Sequence, residues 1–79
     1  SRKNNIKKRL PLKDIRIDGK TQHRKVDDEV VLRYTALMKD GVKFPPIEII
    51  YDGKNYFMWD GAHRYFSHLK LNKKYIEAN

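Results

Sequence analysis

The sequence has no cysteine among its 79 residues, which excludes a disulfide framework, a thiolate metal site and a cysteine nucleophile together. It has no apolar run approaching the roughly 20 residues of a membrane-spanning helix, and its first residues lack the apolar stretch of a signal peptide. The expectation is a soluble, cytoplasmic protein with no membrane partner. Length is also in short supply. A chain of this size forms one small domain with a stability of roughly 3–5 kcal/mol, leaving no room for a second domain or a deep multi-substrate cleft.

Acidic residues are scarce at one end. The formal net charge is +8, and residues 1–25 carry ten lysines and arginines against Asp14 and Asp18 alone, while the remainder is nearly balanced. A basic end of this kind attracts polyanions through counterion release, which makes nucleic acid the natural partner. The same pattern also fits a solubilising leader. Residues 1–9, with Arg2, Lys3, Lys7, Lys8 and Arg9 and little apolar content besides Ile6, read as a basic flexible arm that would contact nucleic acid, with the domain occupying residues 10–79.

Within that domain, Leu10, Leu12, Ile15 and Ile17 suggest one short strand ending at Asp18-Gly19. Asp27 or Asp28 caps a helix whose apolar stripe is Val30, Val31, Tyr34, Leu37 and Met38, stopped by Gly41 and kept from resuming by Pro45-Pro46. Ile47 to Tyr51 and Tyr56 to Trp59 read as two strands joined at Asp52-Gly53-Lys54-Asn55. Asp60-Gly61 turns the chain into a second helix carrying Tyr65, Phe66, Leu69 and Leu71, ended by Asn72, and residues 74–78 form a last strand. The fold class expected is α+β, a mixed sheet with two main helices.

A strand that passes through Asp-Gly directly into a helix presents unpaired backbone N–H groups at the positive end of the helix dipole. Gly61 allows close approach, and His63 and Arg64 add donors suited to a phosphate. An ordinary turn bearing a solvated arginine and a capping or packing histidine fits the same residues. His63 and His68, five apart, point about 140° from one another and do not form a metal-chelating pair, so no metal ligand is assigned. Asp60 is the one candidate for acid/base chemistry, with a plain turn role as the simpler account. Of Tyr51, Tyr56, Phe57 and Trp59, two are expected in the core and one exposed beside the site.

The proline-led strand at residues 44–51, followed by Tyr56-Phe57-Met58-Trp59-Asp60-Gly61-Ala62-His63-Arg64-Tyr65, resembles the hairpin and Gly-x-His-Arg turn of the ParB/sulfiredoxin superfamily. Gln22-His23-Arg24 is similar to the Gln-x-Arg box of ParB N-terminal domains. The resemblance runs from about Leu10 to Ala78. It implies a small ParB/sulfiredoxin-like domain in which Gly61, Ala62, His63 and Arg64 hold phosphate and Gln22 and Arg24 close the pocket. The implied ligand is a nucleoside triphosphate, CTP or ATP, with Mg²⁺.

Two departures narrow this implication. Ala62 stands where sulfiredoxins carry the nucleophilic cysteine, so their reduction chemistry does not carry over. It also stands where ParB proteins carry a glutamate that assists metal and triphosphate, which weakens the case for Mg²⁺-dependent hydrolysis of CTP. The function expected is therefore a phosphate- or nucleotide-binding, DNA-associated module of partition, phage or plasmid regulation. A small nuclease or NTP-dependent phosphotransferase on the same turn, and a ligand-free domain that binds a protein partner, are the alternatives.

Overall fold

The computed structural model describes residues 7–17 and 26–79. In chain order the elements are β1 (Lys8–Pro11), a 3-10 turn (Leu12–Asp14), β2 (Ile15–Arg16), α1 (Asp28–Lys39), β3 (Glu48–Tyr51), β4 (Tyr56–Asp60), α2 (Ala62–Lys70) and β5 (Tyr75–Ala78). The α+β class, the two helices and the mixed sheet are as the sequence led one to expect.

The first strand is not one strand but two. Pro11 has no N–H to donate to a ladder, and the chain tightens after it into the 3-10 turn, where Leu12 is buried and its N–H donates to the Lys74 carbonyl at 2.9 Å. Leu10, Leu12 and Ile15 all reach the core, but from three different elements. The first ladder also starts earlier than the apolar residues indicate. Lys8 and Arg9 pair with Ala78 and Glu77, because ladder bonds are made by the backbone and are indifferent to the exposed, charged side chains. Lys8 and Arg9 thus belong to the sheet rather than to a flexible arm, and residues 1–6 lie outside the described residues.

β1 runs antiparallel to β5, and β4 lies between an antiparallel β3 and a parallel β2. The two sheets are stitched at Ile47, which donates to the Glu77 carbonyl at 3.0 Å and accepts from the Asn79 N–H at 2.8 Å. β1 and β2, at the two far edges, are separated by the 3-10 turn alone, so the strands wrap around a shared core. That core is built from Leu10, Leu12, Ile15, Ile47, Met58 and Ile76, with Tyr65 and Ala78.

Helix α1 begins where expected, with the Asp27 carboxylate accepting the Glu29 N–H at 2.9 Å. It ends in a Schellman arrangement in which Gly41 (φ 91°) and Val42 donate to the Met38 and Leu37 carbonyls. Its expected apolar face is only partly sealed: Val31 is buried, but Leu37 remains 38% exposed, because α1 packs on the edge of α2 rather than into the sheet core. α2 closes in the same way through Asn72 at φ 58°, with Asn72 and Lys73 donating to the Leu69 and His68 carbonyls.

Candidate nucleotide-phosphate site

β4 delivers the chain to Gly61, whose backbone takes φ 116°, a region open to glycine and strained for other residues. Space imposes the same requirement. A Cβ at Gly61 would fall 2.6 Å from Ile47 Cγ2 and 2.9 Å from Ile47 Cβ, and Ile47 is completely buried. The glycine expected to admit a ligand is therefore also the residue that lets the turn close on the core.

Arg64, in the first turn of α2, is folded back against the protein. Its Nη1 donates to the carbonyls of Pro45 at 3.0 Å and Pro46 at 2.9 Å, its Nη2 stands 4.0 Å from Asp60 Oδ2, and its side chain is 17% exposed. The two prolines, expected to keep α1 from resuming, also turn two carbonyls toward this guanidinium. The carboxylate of Asp60 is itself largely in solvent.

His63 lies across the gap between the two helices. Its Nε2 accepts the Asp27 backbone N–H at 3.0 Å, so in this arrangement Nε2 carries no proton and Nδ1 does. Tyr34 presents its ring edge-on at 6.1 Å, and Tyr34 is in turn packed on Phe44 at 4.8 Å. This ties the beginning of α2 to the beginning of α1. One turn further along, the buried Ser67 hydroxyl lies 2.7 Å from the His63 carbonyl and 3.1 Å from that of Val31, a second link between the helices. His68 is engaged elsewhere, its Nδ1 donating to the Arg64 carbonyl at 2.7 Å.

The two helix starts differ in their electrostatics. At α1 the orphan amides face the Asp27 cap, with Asp28 and Glu29 in the first turn. At α2 the glycine offers no side-chain cap, there is no acidic residue in the first turn, and the first intrahelical bond is Tyr65 N–H to the Gly61 carbonyl at 2.9 Å. The amides of Ala62, His63 and Arg64 precede that bond and project from the positive end of the dipole. Chemically, this start suits an anion and supplies no nucleophile.

The structure brings Asp60, Gly61, Ala62, His63 and Arg64 together at one turn. Gln22 and Arg24 lie outside the described residues. Of the four aromatics, Phe57 is buried and Tyr56 packs against the core, while Trp59, next to the turn, and Tyr51 are more than half exposed. The clamp of Arg64 on the prolines and the bridge from His63 to Asp27 were not legible in sequence, since a carbonyl or amide that a side chain will meet leaves no residue-type signal. Ser67 gave no hint of the contact between helices either: its neighbours on the helix surface are His63, Arg64 and Lys70, away from the Tyr65, Phe66 and Leu69 stripe, yet it is completely buried.

The fold is similar to that of sulfiredoxin from Arabidopsis thaliana, with a TM-score of 0.73 and 27% identity over 94% of this chain and 82% of that protein. It is also similar to a conserved hypothetical protein from Pyrococcus furiosus, with a TM-score of 0.72 and 17% identity over 92% of this chain and 31% of that one. A mutant free serine kinase solved in complex with ADP gives a TM-score of 0.72 and 17% identity over 92% of this chain and 30% of the kinase. The chain thus spans most of sulfiredoxin but less than a third of the other two. No protein-family model matches the chain, and no curated protein matches it in sequence.

Proposed function

The chain is a small α+β domain with the ParB/sulfiredoxin-like fold, and from that premise we propose that it is a nucleotide-binding module that seats a phosphate at the start of α2. One observation carries this reading: that helix start has no side-chain cap and no acid in its first turn, whereas the neighbouring start of α1 is capped and acidic. Backbone amides of Ala62, His63 and Arg64 supply the donors, and the Nδ1–H of His63 adds one more. Arg64 contributes charge from its clamp rather than as a free fork, and Gln22 and Arg24, five and three positions before Asp27, are the residues to complete the pocket. Support from outside the chain comes from free serine kinase, which shares the fold and was solved with ADP and with AMP.

On this reading the ligand is a nucleoside phosphate, ATP or CTP among the candidates, with Mg²⁺ as a companion of its phosphates. The formal charge of +8 supports association with DNA, with Arg2, Lys3, Lys7, Lys8 and Arg9 as contacts, in a cytoplasmic regulatory role. Binding is favoured over catalysis because the Asp60 carboxylate is largely in solvent, the acid opposite it on β3, Glu48, is engaged by the Asn79 amide, and the sequence has no thiol. No helix among the described residues is long and apolar enough to cross a membrane.

The test is calorimetric titration of AMP, ADP, ATP and CTP into the wild-type chain and into Ala62→Glu, without Mg²⁺. A carboxylate at that position suits the helix dipole, so the variant folds with unchanged or slightly higher stability; with no Mg²⁺ present to bridge it to the ligand, as it would for the ParB glutamate, it repels phosphate. Nucleotide affinity at least tenfold weaker in the variant supports the site, and equal affinity in the two proteins removes it.

A further inference from the structure

On the far side of the Arg64 clamp, the Pro45-Pro46 bend forms one wall of a depression of about 530 Å³ that meets the phosphate site only at Arg64. It adjoins a second of about 250 Å³, with which it shares His68, Lys73, Ile76 and Glu77, so the two make one trough across β5. Lys7, Lys43, Arg64 and Lys73 line the first part, and Arg9 and Lys74 extend the line along the second. The single acid of the lining, Glu77, is already paired with Lys7 at 3.5 Å. Among the described residues, Lys43, Lys73 and Lys74 are exposed and have no carboxylate within ion-pair distance. Like charges gathered along one concave wall repel one another, and a polyanion laid there relieves the repulsion.

The trough is not only basic. Its floor includes Met38, Val42 and Phe44, and at its far end Tyr75 is 49% exposed, with the Arg9 guanidinium over its ring at 5.0 Å. A cationic rim that follows a backbone, beside an aromatic face on which a base can stack, is the chemistry of a single strand. A duplex keeps its base faces internal and would meet only the rim. An acidic peptide would satisfy the lysines but would leave the Tyr75–Arg9 stack without a flat ring to receive.

We infer that this trough is a track for single-stranded nucleic acid, with phosphates along Lys43, Lys73 and Lys74 and a base against Tyr75. The inference rests on the nucleic-acid association proposed above and gives it a surface on the folded domain. It shares Arg64 with the nucleotide site at α2 but uses none of that site's backbone amides.

The experiment is fluorescence anisotropy with a short labelled oligothymidine, using the wild-type chain, the double variant Lys43→Gln/Lys73→Gln and Tyr75→Ser, with folding checked by circular dichroism. Each neutralised lysine is expected to weaken binding about fivefold near 0.1 M salt and to reduce the salt slope by about 0.7. Tyr75→Ser is expected to weaken binding about fivefold or more through lost stacking. Unchanged affinity in the lysine variant overturns the trough while leaving nucleic-acid association to residues 1–25. No binding by the wild-type chain overturns both. Equally tight binding of a duplex, or displacement of the strand by polyglutamate as readily as by unlabelled oligothymidine, also overturns the assignment. Nucleotide affinity is titrated separately into the same lysine variant, where an unchanged value assigns it to the α2 site.

Discussion

Arg64 Nη1 donates to the Pro46 carbonyl at 2.9 Å and to that of the preceding proline at 3.0 Å, so the residue most suited by type to hold a phosphate is also a strut between α2 and the approach to β3. Arg64→Ala is expected to cost roughly 1.5–3 kcal/mol, the range for hydrogen bonds to a charged group. Arg64→Lys is expected to recover only part of it, since an ammonium on a flexible stem does not reproduce the planar fork. Urea unfolding of the three proteins measures this, and equal midpoints would show the strut to be idle. The result also sets how any loss of nucleotide binding in Arg64→Ala is to be read.

Gly61 is held to glycine by two separate causes, and Gly41 by only one. At Gly61 the positive φ is joined by overlap with Ile47, whereas a Cβ at Gly41 would meet nothing within 4 Å. Gly41→Ala should therefore cost about 1–2 kcal/mol, the left-handed backbone penalty alone. Gly61→Ala should cost that plus roughly 1–3 kcal/mol of overpacking. Asparagine, which tolerates the left-handed region, is expected to be accepted at position 41 and rejected at 61. Thermal unfolding of the four variants tests the contrast, and an innocuous Gly61→Asn would contradict the close contact.

Tyr65 is 7% exposed, and burial raises the pKa of its phenol above the ordinary value of about 10. The folded chain therefore keeps this proton at a pH where the unfolded chain has begun to release it, and stability falls as pH rises through that interval. Below about pH 10 both states are protonated and the group makes no pH-dependent contribution. Its hydroxyl lies 3.4 Å from the Leu12 carbonyl, a long bond, so Tyr65→Phe is expected to stay within about 1 kcal/mol of wild type at neutral pH. Above about pH 10 the wild type should lose stability relative to the variant, as followed by urea midpoints across the alkaline range. Parallel pH profiles would contradict the assignment to Tyr65.

The parts of the fold that could be read from sequence are those written in side-chain periodicity and turn chemistry. The α1 cap at Asp27, the stop at Gly41, the Asp52-Gly53 hairpin and the last strand all fall where those signals place them. The division of the first strand was hidden because Leu10, Leu12 and Ile15 are apolar whether they alternate on one strand or reach the core from three elements. The start of β1 at Lys8 was hidden because a ladder uses only backbone. At the site, the sequence brought Asp60 to Arg64 to one turn. It left open whether His63 and Arg64 face outward, and tertiary partners settle their present positions: the Asp27 amide for His63, and the Pro45 and Pro46 carbonyls for Arg64.

The most direct test of the central claim is a ¹⁵N–¹H NMR titration of the wild-type chain with ADP, reading the backbone amides individually. A phosphate seated at the start of α2 is expected to move the Ala62, His63 and Arg64 amides furthest, saturably and together, with inorganic phosphate moving the same set at higher concentration. Shifts confined to other residues, or no saturable shift at those three, would contradict the account.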